Sequence, residues 1–221
     1  MRKSLVLAAL PAAVLLSATA GLAHAAPEHT TTNGVYTANL DPLPDRPAAV
    51  GGSHANGHAT LWLDGRHLTV RLRVSGVTPS ERHLMHLHGM LGMNATCPTR
   101  AQDLNTGDPV DPASYVPGVP DGIISLTEGH ATYGPVAVSL TRTGSTGPGS
   151  ALNVNQYTKA NDRGVINYER SFTVPTSVAR HLTQLIVAVH GLDLPSDANH
   201  SSLSNLFETT TPVACGAVVR R

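Results

Sequence analysis

The stretch His58-Ala59-Thr60-Leu61-Trp62-Leu63-Asp64-Gly65-Arg66-His67-Leu68-Thr69-Val70-Arg71-Leu72-Arg73-Val74 decides the fold class. Ala59, Leu61 and Leu63 alternate with His58, Thr60 and Trp62. After Asp64-Gly65, Leu68, Val70, Leu72 and Val74 alternate with His67, Thr69, Arg71 and Arg73. A period of two puts one residue set on each face of a strand, and Asp-Gly between two such runs marks a hairpin. One face is polar enough to stay wet, which favours an antiparallel sheet over a parallel one covered on both sides.

Working outward, Val35-Tyr36-Thr37-Ala38-Asn39-Leu40 reads as a weak first strand within an N-terminal extension or edge, 26–57. Downstream, 84–88 is an apolar strand that carries His86 and His88. Further strands are expected at 123–126, 136–140, 152–155 and 168–174, and a central one at 184–190. An alternative has 178–185 opening a short helix behind Pro175 and Ser177. Residues 89–122 and 191–212 read as long loops, too long to be plain connectors and suited to covering a site. No repeat, heptad or βαβ rhythm occurs. The expectation is an all-β domain, a β-sandwich or flattened barrel over 58–221.

Residues 1–25 read as a signal peptide. Arg2 and Lys3 precede a leucine- and alanine-rich run at 5–22, and Ala23-His24-Ala25 is a cleavage pattern. The competing reading, a membrane span, suits an alanine-rich run interrupted at Pro11 less well. No later run is long and apolar enough to span a bilayer, so a secreted or extracellular protein, free or associated with the cell envelope, is expected. Removing 1–25 takes away two basic residues and no acidic ones, leaving a slight acidic excess. That balance gives no argument for nucleic acid or an anionic membrane as partner. The two cysteines, Cys97 and Cys215, form a disulfide in an exported chain, with two buried thiols as the alternative. Asn94-Ala95-Thr96 and Asn199-His200-Ser201 have the form of glycosylation acceptors.

The chemistry centres on histidine. His86 and His88 leave the same face of their strand, and His190 ends the strand at 184–190. Three imidazoles can hold copper or a catalytic zinc with a position left open. His130 is the candidate fourth ligand, against a plain role as a loop histidine. Leu185, Val187 and Val189 are expected to point inward, which leaves Ile186, Ala188 and His190 on the opposite, covered face. Asp193 and Asp197 are candidate supports for a ligand imidazole. The other reading of these residues is ordinary packing, with each imidazole satisfied by a backbone carbonyl.

Several other chemistries have no motif here. The chain lacks G-x-S-x-G, a phosphate-binding glycine loop, H-E-x-x-H and C-x-x-C. Its acidic residues form no defined pair for glycoside hydrolysis.

Taken together, His86-Leu87-His88, Cys97, Val189-His190 and Ala214-Cys215-Gly216-Ala217-Val218 resemble, in order, the copper/zinc superoxide dismutase family. The segment around Thr78-Pro79 and His86-Leu87-His88-Gly89 is also similar to secreted chordin-type domains. The dismutase resemblance implies a Greek-key β-sandwich with His86, His88 and His190 as copper ligands and a loop anchored by Cys97–Cys215. It implies superoxide as the substrate. The chain departs from the family in two places. After Cys97 the next histidine is His130, so the dense zinc-binding group is missing and zinc is not expected. Pro212 stands where the family has its substrate-guiding arginine. Two functions therefore compete: a copper-binding dismutase-like protein, and a non-enzymatic extracellular interaction or structural domain with a degenerate metal site.

Overall fold

The computed structural model describes residues 33–44, 54–104, 122–193 and 206–221. The region read as a signal peptide lies outside them. Among the described residues, nine strands form one antiparallel system: β1 (Gly34–Pro42), β2 (Asn56–Asp64), β3 (His67–Ser75), β4 (Met85–His88), β5 (Val136–Ser139), β6 (Val165–Thr173), β7 (Ile186–His190), β8 (Pro212–Ala217) and β9 (Val219–Arg220). Their order is β5-β4-β7-β8-β1-β2-β3-β6, with β9 beside β1. The sheet curls into a half-barrel, a flattened Greek-key barrel or sandwich of the all-β class.

The hairpin at the centre of the sequence forms as its alternation dictates. β2 and β3 pair from Asn56↔Ser75 to Asp64↔His67. Leu68, Val70, Leu72 and Val74 are buried, while His67, Arg71 and Arg73 are exposed. Each of these buried side chains contributes about 1.5–3 kcal/mol relative to remaining in water. On the wet face Arg71 lies 3.0 Å from Glu169 of β6. Both side chains are well exposed, so the pair adds little stability.

The segment expected to be an extension or edge supplies an internal strand. Gly34 to Leu40 of β1 pair with β2, while Asp41 and Pro42 pair with β8. One strand thus passes from one half of the curled sheet to the other. Its faint apolar signal reflects a mixed environment: only Tyr36, Ala38 and Leu40 face the core.

β4 and β7 are buried along their whole length. They pair from Met85↔Val189 to His88↔Ile186. Met85, Leu87, Val187 and Val189 join the main core. Ile186 and Ala188 join a second cluster with Leu43, Tyr133 and Cys215 on the opposite face. The expected inward and covered faces of the strand at 184–190 are therefore both found.

The cover is built differently from expectation. Residues 123–126 form no strand; instead α1 (Leu126–Tyr133) begins there. Ser125 caps it, accepting from the Glu128 backbone N–H while the Glu128 side chain returns to the Ser125 backbone. This is the reciprocal capping box that Ser-x-x-Glu encodes. Residues 152–155 are not a strand either, since a 3-10 turn occupies Val154–Gln156. The helical alternative after Pro175 is realised as α2 (Thr176–Arg180), followed by a 3-10 turn before β7. In the region expected to be a long loop after His190, α3 (Leu206–Thr210) precedes β8. Among the described residues no helix is long and apolar enough to cross a membrane.

Cys97 and Cys215 are bonded. The bridge ties the segment after β4 to β8, beside the second apolar cluster.

Candidate metal centre

β4 offers no solvent to either of its faces, so two histidines on it need partners or carry a large desolvation cost. Strand periodicity aims His86 and His88 to the covered side. The β4–β7 register places Ala188 opposite His86, and His190 reaches the same side two residues later. His86, His88 and His190 are 3%, 1% and 1% exposed. Their nearest ring nitrogens lie within 4.8 Å of one another.

Hydrogen bonding fixes which nitrogen of each ring faces the centre. His190 Nδ1 lies 2.7 Å from the Thr210 carbonyl oxygen, and His88 Nδ1 lies 3.0 Å from that of Gly134. A carbonyl can only accept, so both Nδ1 atoms carry the proton and both Nε2 atoms present lone pairs. On the third ring, His86 Nε2 lies 2.9 Å from the Tyr157 hydroxyl and 3.2 Å from the Ala151 carbonyl. The Tyr157 hydroxyl donates onward to the Ala151 carbonyl at 3.0 Å, so it accepts from His86. His86 Nδ1 then faces inward as a third lone pair.

His190 Nε2 is 3.3 Å from both His86 Nδ1 and His88 Nε2. Lone pairs at that separation repel unless a proton or cation lies among them. Metal–nitrogen bonds of about 2.0–2.1 Å with tetrahedral angles separate ligand nitrogens by about 3.3–3.4 Å. The spacing and the outward hydrogen bonds both fit a cation. The three rings offer neutral donors at pH 7. Burial, then the neighbouring His190, lowers the pKa of His88 to about 3. Burial lowers that of His190 to about 4, opposed by its bond to Thr210. Burial, then His190 and His88, holds His86 well below the ordinary histidine range.

His130 is not in this group. It is exposed in the last turn of α1, with its ring edge-on to Tyr133 at 6.1 Å between centroids. Tyr133 is buried and packs on His88 at 4.6 Å. The three inward histidines are thus together, and the candidate fourth stands on the far side of a tyrosine. His83, one position out of step and just before β4, is buried. Its Nδ1 and Nε2 are each 2.9 Å from a carbonyl oxygen, of His190 and Thr78 respectively, so it braces the His190 backbone from behind.

Of the carboxylates considered as supports, Asp197 lies outside the described residues, and a backbone carbonyl, not Asp193, takes the His190 Nδ1 proton. His54, His58 and His67 are exposed. The supporting groups Gly134, Thr210 and Tyr157 were not among the sequence candidates. Gly134 and Thr210 act through main-chain oxygen, which leaves no residue-type signal. The Ser125-x-x-Glu128 capping box was the one local clue to the helix that covers the site.

Zinc sites with a carboxylate would need an acidic ligand, and the described residues place none in the cluster. Compared with known proteins, the chain matches no family model and no curated protein significantly.

Proposed function

We propose that this chain is an exported copper protein of the superoxide dismutase-like class, with superoxide as its substrate. The observation that carries the reading is the convergence of three imidazole lone pairs, each turned inward by a hydrogen bond on its other nitrogen. Three nitrogen donors bind Cu(II) more tightly than Zn(II), by the usual order of divalent affinities. The family-like order of His86, His88, Cys97, His190 and Cys215, on a Greek-key antiparallel fold, supports the same class. The leader-like 1–25 and the single disulfide support export.

Bound copper supplies a Cu(II)/Cu(I) couple, the one-electron chemistry that superoxide dismutation needs. His86, His88 and His190 would hold it. Tyr157, Gly134 and Thr210 orient the three rings. Tyr133 shields His88 from water. Pro212 stands in place of a guiding arginine, so electrostatic capture of the anion is weak and slow turnover is expected.

The test is metal analysis of the reconstituted full chain with a superoxide-decay assay, using His88→Ala as control. One copper per chain and decay lost in the variant support the proposal. Absence of stoichiometric copper removes the metal reading. Copper retained without His88-dependent decay rejects the enzyme and leaves a copper-binding domain.

A further inference from the structure

Beside the centre, on the outer side of Tyr133, a surface concavity is lined by Met90, Met93, His130 and Tyr133. Its methionines are out of place as packing residues. Met85 is fully buried, whereas Met90 and Met93 are 55% and 62% exposed.

The two thioethers belong to one tight turn. The Met93 backbone N–H donates to the Met90 carbonyl at 2.9 Å, and Gly92 occupies the third turn position at φ +94°. A positive φ there is what a type II turn requires, and it sets the first and fourth residues side by side. The turn is fastened to the end of α1 from both directions. Gly89 N–H donates to Pro135 O at 3.0 Å, and Thr96 N–H donates to Thr132 O at 3.2 Å. His130, in the last turn of that helix, is exposed and lines the same concavity.

We infer that Met90, Met93 and His130 form a second metal site, a surface site for Cu(I). Two thioethers and one imidazole are a soft donor set, suited to Cu(I) and poorly suited to hard divalent ions. The thioethers carry no charge and no proton, so protons do not compete with a metal for them at acid pH. Among the described residues no carboxylate lines the concavity to favour calcium or magnesium. Tyr133 forms the wall shared with the three-histidine centre, packing on His88 from one side and edge-on to His130 from the other.

This site does not depend on the three-histidine centre, and its test separates the two. The full chain, labelled with carbon-13 at the methionine methyls, is titrated with Ag(I) as a redox-inert probe. The Met90 and Met93 methyls are expected to shift with the first equivalents, while buried Met85 does not. Anaerobic Cu(I) titration against a chromogenic chelator gives the second reading. His88→Ala retains one equivalent of Cu(I) with sulfur in its X-ray absorption spectrum, and Met90→Leu/Met93→Leu loses that equivalent while keeping Cu(II) at the histidines. His130→Ala, at an exposed position, weakens Cu(I) retention without changing the fold. Unshifted Met90 and Met93 methyls, or Cu(I) uptake unchanged by the double leucine variant, overturns the site whatever the histidine centre does.

Discussion

His190 Nδ1 sits 2.7 Å from the carbonyl oxygen of Thr210, at the end of the short helix that leads into β8. That single bond decides the tautomer of His190 and turns its Nε2 toward His86 and His88. It couples the three-histidine cluster to the local geometry of α3, so the orientation of the His190 ring depends on a segment distant in sequence from β4.

Tyr157→Phe tests how far outer partners orient the ligands. The ring stays buried and only the hydroxyl accepting from His86 Nε2 is removed, with the Ala151 carbonyl left as a poorer substitute at 3.2 Å. Copper affinity is expected to fall about 10-fold, within the usual range for loss of an outer partner. A competition titration measures it; unchanged affinity would mean Ala151 alone suffices.

Acidification tests the burial of the ligands. The folded pKa values of His88 and His190, about 3 and about 4, lie below the unfolded value of 6.5. The unfolded chain therefore binds more protons between those limits, and unfolding free energy rises with pH across that window. The histidine contribution is fully present above pH 6.5 and is lost as pH falls toward 4 and then 3. In metal-free protein the urea midpoint should drop through this range, and His88→Ala should drop less steeply.

Removing the disulfide by Cys97→Ser with Cys215→Ser should lower stability without altering strand order. The bridge spans a sequence separation of 118. Closing so large a loop is worth about 4–5 kcal/mol in the chain-entropy model. Urea unfolding of the two proteins gives the difference, and a loss under about 1 kcal/mol would show a denatured chain already compact near this bridge.

Gly134→Ala should damage both fold and site. Gly134 ends α1 at φ +72°, and a Cβ there would come within 3.2 Å of the Met90 backbone nitrogen. Backbone at φ +72° and ψ −170° is essentially reserved for glycine and costs another residue about 1–3 kcal/mol. The same residue's carbonyl holds His88, so copper affinity and Tm should fall together. A fall in Tm alone would show that the carbonyl keeps its place.

How much was legible differs from element to element. The β2–β3 hairpin could be read from alternation because a half-buried strand writes its two faces into consecutive residues. β1 reads as part of an extension or edge because Tyr36, Ala38 and Leu40 make a sparse apolar pattern, and nothing local reports that β2 and β8 flank it. α1 is not legible as a helix: 123–126 reads as a strand and His130 as a loop histidine, because the helix has few apolar residues and only its capping box marks it.

The sequence alone determined that His86 and His88 share a face, that the strand at 184–190 has an inner and a covered side, and that Cys97 and Cys215 are the available pair. These follow from a backbone period of two and from composition, which are local properties. Only the tertiary structure decided that His190 meets the other two, that main-chain carbonyls and Tyr157 turn three lone pairs inward, and that His130 stays outside. Strand register and carbonyl direction are set by packing between segments far apart in the chain, and no residue's identity records them.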